Sequence, residues 1–489
     1  MKKRGSYSRI GLVYEDNQTQ ERSLRVSICK IGIKSKVFAK KVLIRIADNH
    51  PLILLANLLP WEEMYDLILP DLKKTAKGNW RVGRKLKVRI HLGVYVLQQV
   101  MNLTDRKMEY AVKDNAAYQL FCGKELVKKW HCPDHTKIEE FRSRLTPETQ
   151  RKLANLMVTN GVKLGIADAS ALDIDSTVQE ANMTYPTDGK MLKKLGMICS
   201  KVSAALKKRF LCDKAALEVN VKEISSKANH YFFLPKKTSS EDKAKALKDL
   251  WESVSEPVKQ IVNVCIALSE EEVQSLLWNI KKAMTQLIEL GESYLSAAKK
   301  FIDTQRSKKG KRLSFHLSEV FCCTKGKVHK KYEFGRAFQL GRIIGNFLFV
   351  IPCTDVVMED SKSFAGILSE HEKLFGKEIL NSVSTDTNYY SEENVKLSKE
   401  KKIRKIGIQR ARHITDRGDL TVEDRKMLYN RRAGIEPLIG HAKQGGQLGR
   451  SRMKSDQTIL ASGYSSILGF NLRQTIRAIM LNKAQDLVV

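Results

Sequence analysis

The sequence predicts an α/β fold: a mixed sheet preceded by a helical domain and interrupted by a helical insertion. Three observations predict it. Apolar residues recur at helical spacing from His50 to Phe141, β-type runs bounded by turn residues fall into two separate blocks, and a seam of alternating four- and three-residue spacing lies between those blocks. At 489 residues the chain exceeds one ordinary domain, and its 42% hydrophobic content is enough to bury real cores.

Residues 1–40 are basic and weakly patterned, and read as a flexible arm. Leu52, Leu55, Leu58 and Leu59 share one helical face, and Ile90, Val94, Leu97 and Met101 repeat it. Thr104-Asp105 punctuates the end of that second helix, and Pro133-Asp134-His135-Thr136 starts another over Lys137 to Leu145. Residues 1–160 are therefore expected to form a helical amino-terminal domain. Near residue 161 the pattern changes, with Val162 to Ala167 and Ala171 to Asp175 reading as short strands. Residues 196–312 are read as a helical insertion. Leu247, Trp251, Val254, Val258, Ile261, Cys265 and Leu268 form one coiled-coil-like seam, and Val273, Leu277, Ile280, Met284, Leu287, Gly291, Tyr294, Ala298 and Phe301 form the next. Ser269-Glu270-Glu271-Glu272 is a capping box between them, Pro257 is expected to kink the first helix, and the pair reads as an antiparallel hairpin without chemistry of its own.

Strand signals return after Leu313, over Phe315 to Cys323, Tyr332 to Leu340 and Phe347 to Cys353. Helix and strand then alternate: Ser361 to Leu374 helical, Ser382 to Asp386 a strand, Glu392 to Lys401 helical, Ile403 to Ile408 a strand, Val422 to Lys443 helical. Strands first, then alternation, fit a sheet with antiparallel leading strands built from residues 161–195 and 313–489.

The loudest compositional fact is a formal net charge of +32, from 86 Lys+Arg against 54 Asp+Glu. Such an excess calls for a polyanion, and nucleic acid is the default because neutralised phosphates release condensed counterions; a ribosome-associated protein and a basic membrane-surface protein are the alternatives. A secretory signal and an apolar run of membrane-spanning length are both absent from the reading, so no membrane partner is expected. Nine cysteines at irregular spacings fit reduced thiols in the cytoplasm, and Cys122, His131, Cys132 and His135 lack the paired spacing of a zinc site.

The most specific signal lies late. Tyr429, Arg432, Glu436 and Lys443 follow the pattern Y-(2)-R-(3)-E-(6)-K, which on one helix puts all four on a single face. A carboxylate flanked by basic residues suits a metal ligand beside phosphates. With Ile435-Glu436-Pro437-Leu438-Ile439-Gly440-His441 around it, the segment resembles the YREK signature of bacterial insertion-sequence DDE transposases. Gly449-Arg450 and Gly469-Phe470-Asn471-Leu472-Arg473 are similar to the carboxy-terminal helix of that family. Ile174-Asp175-Ser176-Thr177-Val178 with Tyr185-Pro186-Thr187-Asp188 resembles its DSTV…YPTD block. Asp386-Thr387-Asn388-Tyr389-Tyr390-Ser391 resembles its second-aspartate motif, with Asn388 where glycine is usual, a departure that a left-handed turn tolerates. Lys325-Gly326-Lys327 with Tyr332 to Gly335, and Pro60-Trp61-Glu62, Asn102 to Asp105, Tyr118 to Gly123 and Phe141 to Leu145, extend the likeness over roughly residues 50–480.

The resemblance implies an RNase H-like catalytic core with Asp175, Asp386 and Glu436 as catalytic metal ligands. On the residues alone, Asp168 and Asp173 compete with Asp175, and strand alternation places Asp173 on the same face. The resemblance also implies that Tyr429, Arg432 and Lys443 contact transposon-end DNA, with Arg450 and Lys454 as further basic contacts. In-line attack on a phosphodiester builds charge on two oxygens, which two divalent cations about 3.5–4 Å apart stabilise. Hard oxygen ligands suit Mg²⁺ or Mn²⁺, two ions per site. The implied activity is binding of terminal inverted repeats, cleavage and strand transfer into target DNA, by a homodimer or higher oligomer in the nucleoid. A nuclease of the same fold and an inactive DNA-binding regulator are the rivals.

Overall fold

The computed structural model describes residues 9–10, 44–74, 87–124, 132–209, 218–306, 311–324, 332–353, 359–408 and 420–486. The basic arm expected over residues 1–40 lies outside them, apart from Arg9–Ile10, which pairs antiparallel with Ile44–Arg45. Two compact units are present: residues 1–181, 335–453 and 457–489 in the first, and 182–334 with 454–456 in the second.

Among the described residues the first unit opens with the helices α1 (Pro51–Leu58), α2 (Trp61–Lys74), α3 (Val88–Met101), α4 (Asp105–Asp114), α5 (Ala116–Phe121), α6 (His135–Arg144) and α7 (Pro147–Lys163). Their ends follow local chemistry. Asn102 leaves α3 in the left-handed region at φ 49°, and the side chains of Thr104, Asp134 and Thr146 cap α4, α6 and α7. Val162 and Lys163, expected in a strand, instead belong to the last turn of α7. Gly165, at φ 70°, ends that helix: its N–H donates to Val162 O at 3.0 Å while Ile166 N–H donates to Gly161 O at 3.1 Å.

The strand that follows, β1 (Asp168–Glu180), is longer than the Ala171–Asp175 run the sequence suggested. It pairs antiparallel with β3 (Tyr332–Ile344), which turns through Gly345 and Asn346, both at positive φ, into β4 (Phe347–Val350). On its other side β1 runs parallel to β5 (Ser382–Thr385), and β5, followed by α14 (Glu392–Glu400), runs parallel to β6 (Lys405–Ile408). The result is an α/β fold with a mixed sheet, antiparallel in its leading strands. Both faces are covered. Leu172, Ile174, Phe347 and Phe349 pack with α13 (Asp360–Phe375) through Phe364 and Ile367, while Phe338, Leu340, Leu348 and Val350 face a core shared with the amino-terminal helices.

Polar groups tie α7 to the sheet. Asn155 accepts from Val350 N at 2.9 Å and donates back to Val350 O, and the buried Arg151 reaches Glu370 at 2.5 Å and Glu148 at 2.8 Å. The long α17 (Asp456–Asp486) joins them through Asn471, whose side chain bonds both the N–H and the carbonyl of Leu348.

In the second unit the helices are α8 (Asp188–Arg209), α9 (Val221–Phe232), α10 (Ser240–Ala267), α11 (Glu270–Ser275) and α12 (Trp278–Thr304), followed by β2 (Phe321–Thr324). This unit begins at residue 182, where the sequence reading placed its insertion at 196, because α8 starts at Asp188 and buries Met191, Leu192 and Leu195 with the other helices. Trp251 Nε1 donates to Leu295 O at 2.9 Å and Val258 packs on Gly291, so α10 and α12 run antiparallel. The Ser269–Glu272 capping box is formed. Pro257 lies inside a continuous α10 rather than dividing it, and the strand expected from Phe315 forms only at Phe321–Thr324.

Candidate active site

Sheet register brings the first two carboxylates together. Ile174 on β1 is the parallel partner of Thr385 on β5, and the next residue along each strand is an aspartate, Asp175 and Asp386. Asp175 also takes a hydrogen bond from Ser176 N at 2.7 Å. Asp386 ends β5 and caps the 3-10 turn Thr387–Tyr389, accepting from Thr387 N at 2.7 Å. That turn is right-handed. Asn388 sits in it, exposed and without positive φ, so the left-handed conformation expected from its glycine-like position does not occur. The neighbouring Tyr389 is buried, with its hydroxyl 2.5 Å from Gln339 Oε1.

The single helix expected over Val422–Lys443 is two: α15 (Val422–Ala433) and α16 (Ile435–Gln444), separated at Gly434. Pro437 explains the break, since it has no N–H for the carbonyl of Ala433 and its ring crowds that carbonyl, yet it is tolerated in a first helical turn. Glu436 lies in the same first turn, where the helix N-terminus favours an anion. Despite the break, Arg432 and Glu436 remain in contact. Arg432 Nη2 stands 3.2 Å from Glu436 Oε1 and 3.3 Å from Asp386 Oδ1, so one guanidinium joins the second and third acidic residues.

Asp175 feels all three. Burial pushes its carboxyl up to about 6; the Ser176 N–H bond and Arg432 oppose this, and the charges of Asp386 and Glu436 reinforce it. Asp386, just past the end of β5, and Glu436, at a helix start, thus share Arg432, and Asp175, within β1, lies near enough to feel its charge and theirs. Among the described residues no group of three or more His, Cys, Asp or Glu side chains stands in a metal-holding arrangement.

The competing aspartates are placed elsewhere. Asp168 is exposed and bonds Ser170. Asp173 is 3% exposed and ion-paired with Arg431 at 2.7 Å and Arg342 at 3.4 Å. The sequence had singled out neither arginine. The adjacent Arg431-Arg432 pair was the available signal, because successive helical residues point about 100° apart and so serve different partners.

The other named residues are less gathered. Tyr429 is exposed on α15, one turn before Arg432, and Lys443 lies near the end of α16. Arg450 runs beside the end of β1, bridging Glu180, where Ser451 N–H donates to Glu180 O at 2.8 Å. Lys454 belongs to the second unit. Arg410 and Arg412, two further basic residues ahead of α15, and Lys325-Gly326-Lys327 lie outside the described residues. No described helix is long and apolar enough to cross a membrane.

Fold and site together define an α/β protein with an acidic triad gathered around an arginine. Residues 41–144, which span α1 to α6, match the family model described as Transposase domain (DUF772). The chain is 26% identical over 171 residues to a protein of Rhizobium meliloti described as "Uncharacterized protein ORF8 in nfe locus", an overlap of 34% of this chain and 79% of that protein. No solved structure matches the chain at a significant level. The domain match supports a transposase.

Proposed function

We propose that the chain is a DDE transposase with an RNase H-like core, acting on DNA through Asp175, Asp386 and Glu436. The observation that carries this is that Asp386 and Glu436 share Arg432 while Asp175 feels the charge of all three, although the acidic residues are separated by 211 and 50 residues in the sequence. An antiparallel lead-in followed by parallel strands supports the RNase H-like reading. The donor set fits hard divalent cations, since carboxylate oxygens are the ligands that Mg²⁺ and Mn²⁺ prefer. Asp175, desolvated and repelled by its two acidic neighbours, is the group with most to gain from a cation. Asp175, Asp386 and Glu436 would hold two such ions, which supply charge stabilisation to the attacking and leaving oxygens of a phosphodiester.

The remaining residues act on the DNA. Arg432 offers a planar fork suited to a phosphate, and the approach of a phosphate competes with Asp386 and Glu436 for it. Tyr429, one turn before Arg432 on α15, Lys443 near the end of α16 and Arg450 beside the end of β1 are the further DNA contacts of this reading. Cleavage at an element end frees a 3′-hydroxyl, and that hydroxyl attacks target DNA in a second substitution at phosphorus. Two ends must be held at once, which calls for a homodimer or larger assembly.

A reading without cleavage has one observation in its favour: Arg432 already neutralises two of the three carboxylates. Incubating the purified protein with Mg²⁺, labelled element ends and a target plasmid separates the readings. Joined products are expected. Cuts without joining identify a nuclease, and bound but intact DNA identifies a regulator.

A further inference from the structure

We propose that Asp173 is the positioning residue of this site, fixing the break between α15 and α16 against the sheet so that Arg432 and Glu436 meet Asp175 and Asp386; this rests on the catalytic reading above. Asp173 is buried on β1, two residues before Asp175 and on the same face. Its Oδ1 accepts from Ser384 Oγ at 2.7 Å and from Arg431 Nη2 at 2.7 Å, and its Oδ2 from Arg342 Nη1 at 3.4 Å. Ser384 is its register partner on β5, two residues before Asp386. One carboxylate therefore touches β3, β5 and the last turn of α15.

The arginines carry the connection to the helix break. Arg431 Nη1 also donates to Ser382 Oγ at 2.7 Å, anchoring α15 to β5. Arg342 Nη1 donates to the carbonyl of Arg431 at 2.9 Å, and its other nitrogens hold Asn346 Oδ1. Gly434 makes room for this: a Cβ there would lie 2.5 Å from Arg342 Nη1. Its φ of −70° is open to any residue, so what favours glycine here is the approach of the arginine. With Arg431 fixed to the sheet, the next side chain, Arg432, is turned toward Asp386 and Glu436, and the start of α16 is set in register with the strand ends. A network serving only general stability would have no need to converge on the turn that presents the third carboxylate.

Two variants of the full-length protein test this, Asp173→Asn and Gly434→Ala. The first removes the charge between two guanidiniums. The second keeps a helical backbone but displaces Arg342, and it carries the test if Asp173→Asn fails to fold. Amide hydrogen exchange over residues 431–438 is expected to quicken about tenfold in both, with the amides of β4 unchanged. Single-turnover cleavage of labelled element-end DNA with Mg²⁺ is expected to fall about 100-fold in Asp173→Asn and about tenfold in Gly434→Ala, because small displacements of reacting groups cost rates of this order. Binding of that DNA should stay within about threefold. Unchanged exchange at the break overturns the proposal, whatever the activity. Faster exchange with parental cleavage also overturns it, since the clamp would then not serve the reaction. A parental protein that does not cleave sinks the reading of the site and takes the positioning role with it, and the exchange result distinguishes that failure from the others.

Discussion

At Asp175 burial and neighbouring negative charge outweigh the Ser176 N–H and Arg432, leaving a carboxyl whose affinity for a proton lies near pH 6 instead of the usual 3.8. A carboxyl raised in this way favours the fold when protonated. Its contribution is complete below the unfolded value near 3.8 and is lost as pH rises through 6, a swing of at most about 3 kcal/mol. Asp175→Asn removes the ionisation. In chelator-containing buffer at pH 7.5 this variant is expected to melt above the parent, with the gap closing at pH 4.5; a parental melting temperature at both would refute the assignment. The same substitution should abolish cleavage, so stability and activity move in opposite directions. Arg432 faces the opposite test. Arg432→Ala should weaken end binding and reduce the slope of log affinity against log salt by roughly one. An unchanged slope would count against a phosphate contact.

Elements show where the sequence was legible and where it was not. Capping residues spoke clearly: Asp134 and the Ser269–Glu272 box act where local spacing placed them, because a cap depends only on its own turn, whereas Thr104, read as ending α3, also starts α4 as its cap. Boundaries set by longer-range forces were less visible. Val162 reads as a strand residue by β-branching, but the Gly165 turn and burial against β4 keep its segment in α7. Pro257 is an interior helix proline whose cost is borne by packing of Val254, Val258 and Ile261. Pro437, read as part of one continuous helix, instead divides it. The acidic residues were legible only through their likeness to a motif, since nothing local ranks Asp175 above Asp173. Their roles separate only once β5 brings Ser384 to one and Asp386 near the other. Pro437→Ala is expected to fuse α15 with α16, keeping or raising the melting temperature while lowering cleavage about tenfold through misplacement of Glu436. Parental cleavage with a fused helix would show that the break is incidental. In α13, Glu370→Ala would leave the buried Arg151 with Glu148 and the Val350 carbonyl as partners, so a loss of about 1–2 kcal/mol, that of a charged hydrogen bond and not of a stranded charge, is expected in chemical denaturation.

For the molecule as a whole, the charge of +32 governs association more than folding. DNA affinity should fall steeply with salt, by roughly 10³-fold or more between 50 and 200 mM if six or more phosphates are neutralised. A shallow dependence would contradict an extended contact. The register of β1 with β5 brings Asp175, within β1, beside Asp386, just past the end of β5, and a helical region matching a transposase domain lies on the amino-terminal side. The most direct test compares cleavage of element-end DNA in Mg²⁺ by the parent with Asp175→Asn, Asp386→Asn and Glu436→Gln, each at equal DNA occupancy. All three variants are expected to bind as the parent does and to cleave at least about 10³-fold more slowly, equivalent to about 4 kcal/mol of transition-state stabilisation. Parental cleavage by any one of them would contradict a shared three-carboxylate site.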